Sequence, residues 1–242
     1  VKRYGANIIW VGLLAAILFL SRPAGVSRPE GRAGDAAKII DYAAVVFVIN
    51  PREEISEAPI LMIRGKQYQV VIASGVITKF GILTCYHVVA GKKEDGYLLL
   101  YLPQINKVMG AIVVKTEPEY DLAMMELAEA CEEIQGAAIS KSLPPIGEEI
   151  TFFGSPARQL LWLRFQRMQR IVAYAGLNEK GELKVVDQPL IPLSPGYAGD
   201  SGGGVFNSQG ELIGLIQKRD AKMPVVYALP ITGRFLKELG WI

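Results

Sequence analysis

From residue 39 onward the apolar positions fall in short, turn-bounded runs rather than at helical spacing. The first series is AAVVFVI at 43–49, YQVVIASGVI at 68–77, FGILTC at 80–85, YLLLYL at 97–102 and KVMGAIVV at 107–114. A second series follows the punctuation KSLPPIGEE: ITFFG at 150–154, QRIVAYAG at 169–176, ELKVVD at 182–187, GVFN at 204–207, ELIGLIQ at 211–217 and PVVYAL at 224–229. Runs of this length, rich in β-branched residues and bounded by Gly, Pro, Asn and Asp, read as strands. Two such series predict an all-β fold of two antiparallel six-stranded β-barrels, one over 39–138 and one over 139–242, with any site in the cleft between them. The closing stretch ITGRFLKELGWI places Phe235, Leu236 and Leu239 at helical spacing and predicts a short C-terminal helix.

The N-terminal part has a different pattern. Ala6 to Leu20 is a mostly apolar stretch without a charge, preceded by Lys2 and Arg3 and followed by SRPAGVSRPEGRAGD. Its length lies between that of a signal-peptide core and that of a spanning helix, and no small-x-small cleavage site follows it, since Arg22 stands two residues before Ala24. Residues 1–24 are therefore read as a membrane helix that anchors the chain, in preference to a cleaved signal that would leave it secreted. Residues 25–38 are read as a linker, because Pro, Gly, Arg and Ser follow one another there without periodicity.

Composition narrows the chemistry. The chain has 242 residues, of which 50% are hydrophobic and 21% charged, so there is ample material for a packed core and disorder is excluded. With 26 basic and 24 acidic residues there is no basic excess, which argues against nucleic acid as a partner. Two cysteines, Cys85 and Cys131, cannot form a disulfide framework and are read as free, buried thiols. One histidine and two distant cysteines suggest neither a metal site nor a bound cofactor. Any reaction that needs an imidazole has one candidate, His87.

Three short strings carry candidate chemistry. In GYAGDSGGGVFN, residues 196–207, Ser201 stands among glycines that let the backbone turn sharply and bring N–H groups into one small space. His87 lies in GILTCYHVVAG at the end of an apolar strand, and Asp121 in EPEYDLAMMEL precedes an apolar run. Each string alone has a bland reading, as a loop, a structural histidine or a turn residue. Together they supply a nucleophile, a base and an orienting carboxylate, with the first two in the first β half and the serine in the second.

SGVITKFGILTCYHVV, YDLAMMEL and GDSGGGVFNSQGELIGLI, in that order, make the chain resemble the trypsin-like, chymotrypsin-fold serine proteases. The likeness covers about 43–236 and, in its short gaps and few cysteines, is closest in style to compact bacterial HtrA-like or viral members. The resemblance implies a serine endopeptidase acting on protein or peptide substrates through His87, Asp121 and Ser201, with the N–H groups of Gly199 and Ser201 as oxyanion hole. It implies a substrate pocket walled by Pro195, Gln217, Lys218 and Val225. Pro195, where trypsin-type enzymes carry an acid, speaks against Lys or Arg specificity, and Val225 would shorten the pocket for small or medium aliphatic side chains. Lys218 and Arg219 leave open recognition of an acidic residue. Gly204 stands where the family commonly has proline, read as a change in backbone stiffness. No Ile-Val-Gly-Gly-type sequence is present to pair with Asp200, which therefore needs another partner. A protease segment of a viral polyprotein and an inactive protease-like binding module are the alternatives. The arginines of RQLLWLRFQRMQR at 158–170 are read as an exposed strand pair lying over apolar surface.

Overall fold

The computed structural model describes residues 39–52, 60–154, 165–171, 190–219 and 225–242. The apolar segment Ala6–Leu20, the linker, the predicted strand at 182–187 and most of the arginine-bearing segment lie outside the described residues. Among the described residues no helix is long and apolar enough to cross a membrane.

The first sheet contains seven strands: β1 (Ala43–Pro51), β2 (Ile60–Ile63), β3 (Lys66–Thr78), β4 (Gly81–Cys85), β5 (Tyr97–Leu102), β6 (Lys107–Glu117) and β7 (Leu122–Leu127), in the order β1-β5-β6-β7-β4-β3-β2. A further antiparallel pairing of β1 with β3, from Ala43↔Val76 to Pro51↔Tyr68, closes six of these strands into a barrel. β2 hangs outside that ring on the free side of β3, paired from Ile60↔Gln69 to Ile63↔Lys66. The first barrel thus has the expected six strands, plus one that the sequence pattern did not reveal.

β1 explains why AAVVFVI reads as a continuous run instead of an alternating one. Ala44, Val46 and Val48 point into the barrel core, whereas Val45, Phe47 and Ile49 pack on the other face with Tyr68 and Val70. Leu61, Ile63, Tyr97, Leu99 and Tyr101 pack against that outer cluster. A strand buried on both faces carries apolar residues at every position, as parallel strands usually do.

The second sheet has the order β10-β13-β12-β11-β8-β9, with β8 (Glu149–Gly154), β9 (Phe165–Arg170), β10 (Ile191–Leu193), β11 (Gly204–Phe206), β12 (Leu212–Arg219) and β13 (Val226–Pro230). It is curled rather than closed: the expected second barrel has no backbone ladder between its end strands among the described residues. The Gln169 side chain bridges them, donating to Pro192 O at 2.6 Å and accepting from Ser194 N at 3.0 Å. A side chain with both donor and acceptor can span a gap too wide for a β ladder.

The two halves share one core. Phe153, Phe206, Leu212, Leu215, Leu229 and Ile231 of the second half belong to the same buried cluster as the first barrel's interior, and Phe206 stacks against Tyr42 and Phe153 with centroids at 6.2 and 5.7 Å. A separate cluster, including Ile150, Phe152, Ile191, Val205 and Ile213, fills the second sheet. The predicted C-terminal helix is α2 (Gly233–Glu238), preceded in the chain by the one-turn α1 (Tyr86–Ala90). Thr232 caps α2 by accepting from Phe235 N, and Leu236 is buried beneath it.

Candidate active site

β4 ends at Cys85, and His87 is the second residue of α1, one step beyond the strand end that the sequence pattern suggests. Asp121 follows the 3-10 turn Pro118–Tyr120 and takes a left-handed conformation at φ +50°, which aspartate tolerates better than most residues. That step turns its carboxylate back onto α1. Oδ1 accepts the His87 backbone N–H at 2.8 Å, and Oδ2 lies 2.7 Å from His87 Nδ1. Two contacts from one carboxylate fix both the position of the residue and the plane of its ring. The proton of the neutral imidazole is thereby assigned to Nδ1, leaving Nε2 as the acceptor. The His87 side chain is 50% exposed and Asp121 20%, so the ring faces open space with the carboxylate behind it.

Ser201 comes from the other half, on the turn between β10 and β11. Asp200 beneath it is fully buried, and its Oδ2 accepts the Tyr197 N–H at 2.8 Å. The backbone of this same loop therefore supplies a partner for one oxygen of Asp200. Gly154 lies so close to Asp200 that a Cβ there would overlap the carboxylate. Gly199 has φ +96°. Among the described residues neither the Gly199 nor the Ser201 N–H is engaged by a backbone carbonyl, whereas the neighbouring Asp200 and Gly202 N–H groups bond Tyr197 O and Ile216 O. The hydrogen bond of the Ser201 hydroxyl runs to Gln217 O at 3.5 Å, the outer limit of such a bond.

The loop is sewn to the first barrel by Ser74, the first residue of the string SGVITKFGILTCYHVV, to which the sequence attaches no role of its own. Ser74 Oγ donates to Gly199 O and Ser74 N to Ser201 O, each at 2.9 Å, while Ser74 O accepts from Thr84 Oγ1 at 2.8 Å. Ser74 is 1% exposed and Thr84 fully buried. Two polar residues inside the apolar runs YQVVIASGVI and GILTC were the available signal, because buried polar side chains must find partners.

Close packing continues at Gly202, which has φ +83° and whose added Cβ would overlap the Ser74 carbonyl oxygen. Gly202→Ala is expected to cost on the order of 3 kcal/mol or more, through left-handed strain and steric overlap together. A urea midpoint equal to wild type would contradict this. Gly204 needs correction: a Cβ there would lie 2.6 Å from the Phe206 ring and 2.8 Å from Val76 Cγ2. Its constraint is thus packing against the shared core, beyond the backbone stiffness expected.

The expected pocket residues part company. Pro195 is exposed on the loop before Ser201, with Gly196 tucked against Val226. Val225 is half-buried just before β13, and Lys218 pairs with Tyr227 on β12. Gln217 is buried, and its side chain turns to the first barrel, where Nε2 donates to Tyr120 O and, at 3.2 Å, to Asp121 O.

Both cysteines are free; Cys85 is buried, as expected, but Cys131 is only half-buried. Cys85 Sγ donates to Ile216 O at 3.1 Å, and burial pushes its thiol well up, with the Asp121 charge adding to the effect and the Gly202 backbone opposing it. Since the thiolate is the nucleophile, a raised thiol is unreactive at neutral pH. Iodoacetamide on the folded protein is expected to modify Cys131 well before Cys85, as read by peptide mass; equal labelling would contradict the burial. Ligand atoms of Cys85, His87 and Asp121 lie within 4.8 Å of one another, so among the described residues this is the group that could meet one ion. An ion there would displace the bond between Nδ1 and Oδ2 and the thiol's bond to Ile216 O, so the donors fit their present partners better.

A closed six-stranded barrel and a curled six-stranded sheet that share one core define a chymotrypsin-fold protein. The sequence matches the family described as trypsin-like peptidase domain over residues 70–215, more than half of the chain and all three of these residues; the chain belongs to that family. Among solved structures it is similar to the HtrA-type protease AlgW with decapeptide, at TM-score 0.63 and 20% identity, covering 86% of this chain and 66% of that one. A variant of the same protease with decapeptide gives 0.60 and 20%, covering 81% and 63%. The chain thus spans just under two thirds of those structures. No curated protein sequence matches it.

Proposed function

We propose that the chain is a serine endopeptidase in which Ser201 attacks the scissile carbonyl, His87 moves the proton and Asp121 orients His87. The observation that carries this reading is the bond of His87 Nδ1 to Asp121, which leaves Nε2 of a half-exposed ring as the available base. When a peptide lies in the cleft, the Ser201 hydroxyl turns from Gln217 O to Nε2, a tightening common on substrate binding. The Ser201 proton then passes to Nε2 as the Oγ–C bond forms. The carbonyl oxygen becomes an oxyanion held by the N–H groups of Gly199 and Ser201, where each donor is worth about 2.7–4 kcal/mol of barrier. His87 returns the proton to the leaving amine as the C–N bond breaks, and water repeats the cycle on the acyl-enzyme.

A peptide substrate is supported by the decapeptide in both HtrA-type structures. Small or medium aliphatic residues are the proposed preference at the cleaved position, from Pro195 and Val225. The apolar segment Ala6–Leu20 is proposed to attach the chain to a membrane, which fractionation of the full-length chain tests. The primary experiment is labelling with a fluorophosphonate probe. A tag on the Ser201 peptide is the expected result; failure of a folded sample to label would favour an inactive, protease-like binding module.

A further inference from the structure

We infer that Gln217 is a positioning residue: its side chain ties the second sheet to the Tyr120–Asp121 backbone and so sets where the Asp121 carboxylate meets His87. The inference concerns the same site as the proposed activity, and its geometry stands independently of that activity.

Gln217 occupies an irregularity in β12. Ile216 pairs with Ala228 and Lys218 with Tyr227, so Gln217 is an extra residue with no partner on β13. Such a bulge turns a side chain out of the strand's alternation, and bulges recur beside active sites for that reason. Here the side chain crosses to the first barrel and its Nε2 meets two successive carbonyls, those of Tyr120 and Asp121. Asp121 O also accepts the Tyr86 N–H at 3.0 Å, whereas Gln217 is the partner shown for Tyr120 O. The main-chain carbonyl of the same Gln217 accepts from the Ser201 hydroxyl. One residue thus touches both the nucleophile and the backbone of the carboxylate that orients the base, although these stand on different halves.

The left-handed step at Asp121 is what aims its carboxylate. A strained conformation persists only where its surroundings over-determine it, and Gln217 supplies two of the bonds that do so. Without its donor, Tyr120 O would be left unpaired in a part-buried position, and the loop would relax toward solvent to satisfy it. Relaxation would move Oδ2 relative to Nδ1, and misplacement of about 1 Å in such a group costs roughly 10²-fold in rate.

Gln217→Met retains the length and most of the volume while removing the donor; Gln217→Glu sets acceptor oxygens against two carbonyls. Because His87 is the chain's one histidine, proton NMR of the protein has a single imidazole Nδ1–H signal to follow, strongly low-field while bonded to Asp121. In wild type that signal should be sharp, and in Gln217→Met it should move upfield or broaden into the solvent. Fluorophosphonate labelling should slow by roughly 10- to 100-fold in Met and further in Glu. Packing alone predicts the opposite order of severity, since Glu is closer in shape to Gln. An unchanged low-field signal in folded Gln217→Met would overturn the inference whether or not the protein cleaves peptides. If wild type shows the signal but never labels, the peptidase reading fails and the positioning role stands. Should the Met variant not fold, Gln217→Ala, which leaves space in place of a thioether against carbonyls, takes its place: a shifted or broadened signal supports the role, and an unchanged one overturns it.

Discussion

Ser201→Ala is expected to lower peptide hydrolysis by a factor on the order of 10⁶ and to abolish fluorophosphonate labelling, and His87→Ala to do the same. A serine hydroxyl is a poor nucleophile unless a base removes its proton in the transition state. The chain holds one histidine, and that ring has Nδ1 occupied by Asp121 and Nε2 turned outward. No other imidazole can substitute. The double variant should be no slower than either single one, because nucleophile and base act as a unit. Casein hydrolysis by either single variant at more than about a hundredth of the wild-type rate would remove the assignment. Both variants should keep the wild-type unfolding free energy in urea titration to within about 0.5 kcal/mol, since neither residue lies in the core.

Asp121→Asn is expected to cost about 10⁴-fold in turnover with the fold intact. The reason lies in the two contacts of the carboxylate. Oδ1 accepts the His87 backbone N–H, and an asparagine would meet that donor with its own carbonyl oxygen. Its NH₂ would then face Nδ1, which must become the acceptor, so that the ring proton moves to Nε2. A protonated Nε2 cannot take the serine proton. Activity and thermal midpoint, measured on one preparation, should therefore separate: the first collapses and the second stays near wild type. If both fall together, Asp121 serves the fold instead of the tautomer.

Much of the architecture could be read from short-range pattern, and what escaped it depended on contacts between distant segments. YLLLYL is a short, turn-bounded apolar run and forms the strand Tyr97–Leu102, where burial alternates from residue to residue. AAVVFVI identifies a strand, yet that both of its faces are buried depends on aromatic residues from β3 and β5. ILMI at 60–63 is too short and too exposed to stand out, and IPL at 191–193 carries a proline at its centre. His87, Asp121 and Ser201 can be proposed from sequence because each sits in a distinctive local string. The resemblance implies Gln217 as a pocket wall, and the bulge between Ile216 and Lys218, beside which its side chain reaches the first barrel, leaves no local mark in the sequence. Ser74 does not stand out because its partners, Gly199 and Ser201, lie far along the chain.

The seam at Ser74 also bears on what each half can do alone. β3 in the first barrel holds the serine loop, and β12 in the second sheet holds the aspartate loop. Each half therefore carries the brace for the other half's reactive group, and the core beneath them is continuous. Cut between the two, neither fragment would retain even its own share of the geometry: the His–Asp pair would lose its strap and the serine turn its anchor. Such a protein is indivisible at its proposed site even though its sheets can be counted separately, and an exchange of one half for a relative's must bring matching stitches at Ser74 and Gln217 to work.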